Sequence, residues 1–139
     1  MHAPARVLVL DDHNRTLGDL LASALQNHSV EWTADVVDAL YRIDCDGHPF
    51  DVIFCDLVRG DVPGPELWSY LNITRPNAAK RIVFVASGPL SAEARAFIER
   101  VPNTLIEQPL DADGLGALAA RRVSRSLRGT HDRAQSSCQ

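Results

Sequence analysis

Apolar residues along this chain follow two rhythms. Short unbroken runs of Val, Ile, Leu and Phe mark strands buried on both faces, and apolar residues three and four apart mark helices with one face in a core. Arg6–Leu10 is the first run, and it stops at Asp11-Asp12. Asn14, a good helix cap, then precedes Leu17, Leu20, Leu21, Ala24 and Leu25, spaced as one helical face. Val30–Thr33 predicts a short second strand, and Val36, Val37, Leu40, Tyr41 and Ile43 a second helix ending before Gly47-His48-Pro49. Phe50–Cys55 predicts a third strand that stops at Asp56; Gly60, Pro63, Gly64 and Pro65 mark a loop, and Leu67, Tyr70 and Leu71 a third helix. Arg81–Ala86 predicts a fourth strand ending at Ser87-Gly88, after which Ser91 caps a helix carrying Ala94, Phe97, Ile98 and Val101. Thr104–Glu107 predicts a fifth strand, halted by Gln108-Pro109, and Asp111 opens a last helix that runs to about Leu127.

Strands that alternate with helices at this period imply an α/β fold. Parallel neighbours need crossover connections, so the sheet is expected to be parallel and doubly wound, with helices on both faces and the flavodoxin-like strand order 2-1-3-4-5. A chain of 139 residues is the size of one domain. Residues 1–127 are expected to form it, and 128–139 a polar, unstructured tail.

Composition narrows the class further. With 45% hydrophobic and 23% charged residues the chain reads as globular, neither disordered nor fibrous. No apolar run approaches the roughly 18 residues needed to cross a bilayer, and the opening residues lead straight into a strand instead of a signal peptide, so a cytoplasmic location is expected. Cys45, Cys55 and Cys138 are odd in number and lack CxxC spacing, which supports neither a disulfide framework nor a zinc site. The net charge of −4 conceals an asymmetry: residues 1–120 hold 9 Lys and Arg against 17 Asp and Glu, whereas residues 121–139 hold five arginines and one aspartate. So acidic a body disfavours direct nucleic acid binding, which depends on neutralising phosphates. The arginines at the end complement the dipole of a last helix and a solvated tail.

In an open parallel sheet, functional groups collect at the carboxyl ends of the strands. Asp11 and Asp12 end the first strand, Asp56 the third, Ser87 the fourth and Gln108 the fifth. If the first and third strands are neighbours, three carboxylates converge, and like charges that close resist joint ionisation without a cation. Hard oxygen ligands point to magnesium. A carboxylate beside magnesium can act as a nucleophile toward phosphorus, which makes Asp56 the candidate phosphoacceptor and Ser87 a hydroxyl donor to a phosphoryl oxygen. His13 is expected to belong to a capping loop, since magnesium prefers oxygen, and Cys55 to be a small core residue.

Five segments carry a family resemblance in order: Val7-Leu8-Val9-Leu10-Asp11-Asp12, Phe50–Leu57, Gly64-Pro65-Glu66-Leu67, Val83–Gly88 and Leu105–Leu110. Over about residues 5–127 the chain resembles the response-regulator receiver domains of two-component signalling. The resemblance implies that Asp11 and Asp12 hold Mg2+ directly or through water, together with Asp56 and the backbone carbonyl of Val58. It also implies a phosphoryl group accepted from a histidine kinase or phosphotransfer protein, Ser87 following that group during switching, and a phosphorelay output through protein contacts. A homodimer through the face of the fourth and fifth helices is left open, and the downstream partner is not identified.

Two positions depart from the family pattern. Gln108 stands where lysine is usual, so a neutral hydrogen bond replaces a charge-assisted one, a loss of roughly tenfold in coupling. The single lysine, Lys80, is expected at the start of the fourth strand, on the opposite edge, while Arg59 could supply a cation beside the pocket. Leu105 stands where many receivers carry an aromatic residue whose rotation reports phosphorylation. An alternative is therefore a pseudo-receiver, a phosphorylation-independent interaction module. An enzyme is not expected: an aspartyl phosphatase of the haloacid-dehalogenase kind needs a general-acid aspartate two residues after the nucleophile, where this chain has Val58.

Overall fold

The structure, a computed structural model, describes residues 4–12, 15–45, 49–57, 64–86, 88–107 and 112–128. Five strands, β1 (Arg6–Leu10), β2 (Ser29–Thr33), β3 (Val52–Asp56), β4 (Ile82–Val85) and β5 (Leu105–Ile106), form one sheet in the order β2-β1-β3-β4-β5. Every pairing is parallel. The described helices are α1 (Thr16–Ala24), α2 (Val36–Cys45), α3 (Gly64–Thr74), α4 (Pro76–Lys80), α5 (Ala92–Arg100) and α6 (Ala112–Arg128). The doubly wound sheet and its expected strand order are thus present.

The unbroken apolar runs explain why the sheet is covered twice. Val7, Val9, Val52, Phe54, Val83, Val85 and Ile106 turn to one face, where they meet Leu17, Leu21 and Leu25 from the α1 region and Ala119 and Val123 of α6. Their strand neighbours Leu8, Leu10, Ile53, Cys55, Ile82 and Phe84 turn to the other, against Ala39 of α2, Leu67 and Leu71 of α3, Ala79 of α4 and Phe97 of α5. Alternation of side chains along each strand divides one apolar run between two cores. Among the described residues, no helix is long and apolar enough to cross a membrane.

Three local expectations need correction. A sixth helix, the short α4, occupies residues read as connection, because Pro76 at its first position lacks only an N–H that the first turn leaves unpaired anyway. The fourth and fifth helices of the sequence reading are therefore α5 and α6. Lys80 ends α4 instead of starting β4, although it still lies at the amino edge of the sheet. Gly64 and Pro65, read as loop, open α3. Ser91 does cap α5 as expected, its Oγ accepting from the Ala94 N–H at 3.0 Å. The last helix runs to Arg128, and the tail beyond it, residues 129–139, lies outside the described residues.

Candidate functional site

The register of the central strands decides what meets at the carboxyl edge. β1 pairs with β3 so that Leu10 faces Cys55, which brings the next residues, Asp11 and Asp56, side by side where the strands end. Asp56 also pairs with Val85 of β4. Both carboxylate residues are buried, each 1% exposed, and Asp12 is half-buried at the rim. The expected meeting of β1 and β3 acids is present for Asp11 and Asp56. Val58, Ser87 and Gln108, and with them His13 and Arg59, lie outside the described residues.

The Asp11 side chain is engaged by backbone. Its Oδ1 accepts from the N–H of Asp12 at 2.8 Å, and its Oδ2 accepts from Leu17 at 2.8 Å and Gly18 at 3.2 Å. These last two donors lie in the first turn of α1, so Asp11 caps a helix that begins five residues later. Asn14, the expected cap, lies outside the described residues. The residue before the helix is Arg15, which is left-handed at φ 61° and makes no side-chain cap bond. No signal in the immediate helix-start pattern indicates this second role of Asp11, because the acceptor sits at the strand end instead of at the cap position.

Electrostatics at the edge are visible at the Cys55 thiol, which is fully buried. Burial pushes its pKa far up, and the negative charges of Asp56 and then Asp11 push it further. Both influences come from the strand ends, Asp56 following Cys55 directly and Asp11 following its β1 partner Leu10. Cys55 is accordingly expected to resist thiol reagents in the native protein at neutral pH and to react once the chain is unfolded; rapid native labelling of this residue would contradict its placement.

The donor chemistry suits a hard divalent cation, since carboxylate oxygens are what magnesium takes, and that ion keeps several waters instead of demanding an all-protein cage. Among the described residues, however, no three His, Cys, Asp or Glu side chains are grouped so that they could hold a metal ion, so the expected convergence of Asp11, Asp12 and Asp56 as a set of three carboxylates is not seen.

No family model matches the sequence. The chain is similar to an uncharacterised response regulatory protein of Yersinia pestis, with 34% identity over 123 residues, 88% of this chain and 49% of that protein. It thus spans about half the length of the curated relative it matches. Its structure is similar to a CheY-like response-regulator receiver domain protein of Methanospirillum hungatei, with a TM-score of 0.69 and 21% identity over 90% of this chain and 98% of that one. A response regulator from Thermotoga maritima gives a TM-score of 0.67 at 16% identity over 87% and 98% of the two chains. NtrX from Brucella abortus gives 0.68 at 26%, over 88% of this chain and 27% of that one. The chain has the receiver fold of response regulators.

Proposed function

We propose that this chain is a phosphoacceptor of two-component signalling: Asp56 takes a phosphoryl group from a histidine kinase or phosphotransfer protein with Mg2+, and the change alters protein contacts in the cytoplasm. The observation that carries the reading is the β1–β3 register, which sets buried Asp56 beside buried Asp11 at the edge where Asp12 also lies. Asp12, Asp56 and the backbone carbonyl of Val58 would hold the ion, with Asp11 reaching it directly or through water. Bound there, magnesium supplies positive charge against the phosphoryl oxygens.

An oxygen of the Asp56 carboxylate attacks phosphorus in line with the donor's P–N bond. The O–P bond forms as the P–N bond breaks, and the departing imidazole takes up a proton. Ser87 donates its hydroxyl to one phosphoryl oxygen and Gln108 offers a neutral hydrogen bond where an ammonium is usual. The role is signalling, not turnover of a substrate.

The test is incubation with magnesium and a small phosphodonor, followed by intact-mass measurement. One phosphoryl group should add to the wild type and none to Asp56→Asn; a wild type that gains no mass defeats the reading. Gln108 favours a second reading, a pseudo-receiver that docks without phosphorylation. That reading requires the amide resonances near Asp56 to ignore magnesium, whereas the phosphoacceptor requires them to shift.

A further inference from the structure

The family resemblance has Asp11 and Asp12 hold the metal directly or through water, and the hydrogen bonds of Asp11 give it a further task. Three backbone N–H groups, those of Asp12, Leu17 and Gly18, point at its two oxygens. A carboxylate has about four acceptor positions, so roughly one is left for anything else. Its own N–H donates to the Thr33 carbonyl at the end of β2, at 3.1 Å, which ties its backbone to the sheet. Asp12 is held on both sides: its N–H by Asp11 Oδ1, and its carbonyl by the Arg15 N–H at 3.1 Å.

Arg15 and the start of α1 have little room to adjust. A β-carbon on Gly18 would stand 2.8 Å from Cδ1 of Trp32, so the start of α1 is packed hard against β2. The Arg15 guanidinium lies over the Trp32 ring, 4.7 Å from its centroid, and Arg15 itself is left-handed, a conformation costly for a residue with a side chain. A strained residue persists where its surroundings over-determine it: Arg15 is held by its N–H on the Asp12 carbonyl and its guanidinium on Trp32, while the Asp11 carboxylate holds the residues on either side, Asp12 before it and Leu17 and Gly18 after it.

Resting on the metal reading above, we propose that Asp11 is a positioning residue: by clamping the first turn of α1 and the backbone of Asp12 to the end of β1, it sets where Asp12 stands relative to Asp56. Its negative charge is matched by the amino end of α1 and its N–H donors. The cation affinity of the site therefore depends on Asp11 through hydrogen bonds as well as through charge.

Amide hydrogen exchange without metal, and magnesium titration followed by amide shifts, separate the possibilities. Asp11→Ala should speed exchange at Leu17 and Gly18 by about tenfold, the scale of losing a helix cap, while the centre of β3 is unchanged. Asp11→Asn, which keeps one carbonyl oxygen for those donors, should speed it less. Magnesium affinity of the folded protein should follow the same order, falling further in Asp11→Ala than in Asp11→Asn. Equal losses of affinity in the two variants would mean that only the charge matters, and unchanged affinity in both that Asp11 is purely structural; either overturns the proposal. Unchanged exchange at Leu17 and Gly18 in Asp11→Ala overturns it alone. A wild type that binds no magnesium removes the metal reading and this proposal with it.

Discussion

Asn103→Ala is expected to lower the free energy of unfolding by about 3 kcal/mol, because one side chain completes three separate hydrogen bonds across the sheet's second core. Its Nδ2 donates to the carbonyls of Ala79 and Ile82, both at 2.8 Å, and its Oδ1 accepts from the Trp68 indole N–H at 2.9 Å. The side chain therefore joins α3, the end of α4 and the start of β4 from the segment that leads into β5. Ala79 and Ile82 are buried, so their carbonyls lose a partner that water replaces poorly. Each orphaned group costs about 1–3 kcal/mol, and the half-buried indole sits at the low end since water can reach it.

Chemical denaturation followed by tryptophan emission measures this directly, with a fall in Tm on the order of 10 °C expected alongside. Trp68 is also a sensor of its own loss: its ring stands edge-on to Phe97 at 6.1 Å, so release of the indole N–H should change its emission in the folded state. Asn103→Asp supplies the control. It keeps an acceptor for Trp68 but turns a carboxylate toward two carbonyl oxygens, so it should be at least as damaging as alanine. If aspartate were the milder change, the two carbonyl bonds would not be the source of the stability.

This pin illustrates where sequence reading stops. β3 and β4 were legible because a run such as Val52-Ile53-Phe54-Cys55 has no polar break, and only a strand covered on both faces buries every side chain in it. The candidate site followed from the same strands, since ends of parallel neighbours in the order 2-1-3-4-5 place Asp11 and Asp56 at one edge whatever the loops do. What stayed hidden depends on contacts distant in sequence. Asn103 bonds residues 21 to 35 positions away, and nothing local distinguishes it from any polar residue before a strand. Asp11 caps α1 from the wrong side of a turn. Pro65 marks a loop in the sequence, yet proline is tolerated in the first turn of a helix, where N–H groups go unpaired, and both Pro65 and Pro76 stand at helix starts.

Gly64 likewise looks like a loop residue in the sequence, and its real constraint is space. A β-carbon there would lie 2.9 Å from the Cys55 Sγ, 3.1 Å from Cδ2 of Leu57 and 3.6 Å from Cε1 of Phe84. Cys55 is fully buried and Leu57 nearly so, so relief requires Sγ to rotate within a packed core or β3 to shift. Gly64→Ala should therefore cost about 2 kcal/mol, the usual range for overpacking, despite alanine's better helix propensity. A shift of β3 would displace Asp56, which follows Cys55 in that strand, so under the proposed metal reading magnesium affinity should fall together with stability. Cys55→Ala removes the closest of the obstructing atoms, and in combination with Gly64→Ala the loss should be smaller than the two single losses added, by about 1 kcal/mol or more. Strict additivity would show that the close approach of α3 to β3 is not what glycine provides. A recovery of both stability and magnesium affinity in the double variant would tie the packing behind Asp56 to the working geometry of the site.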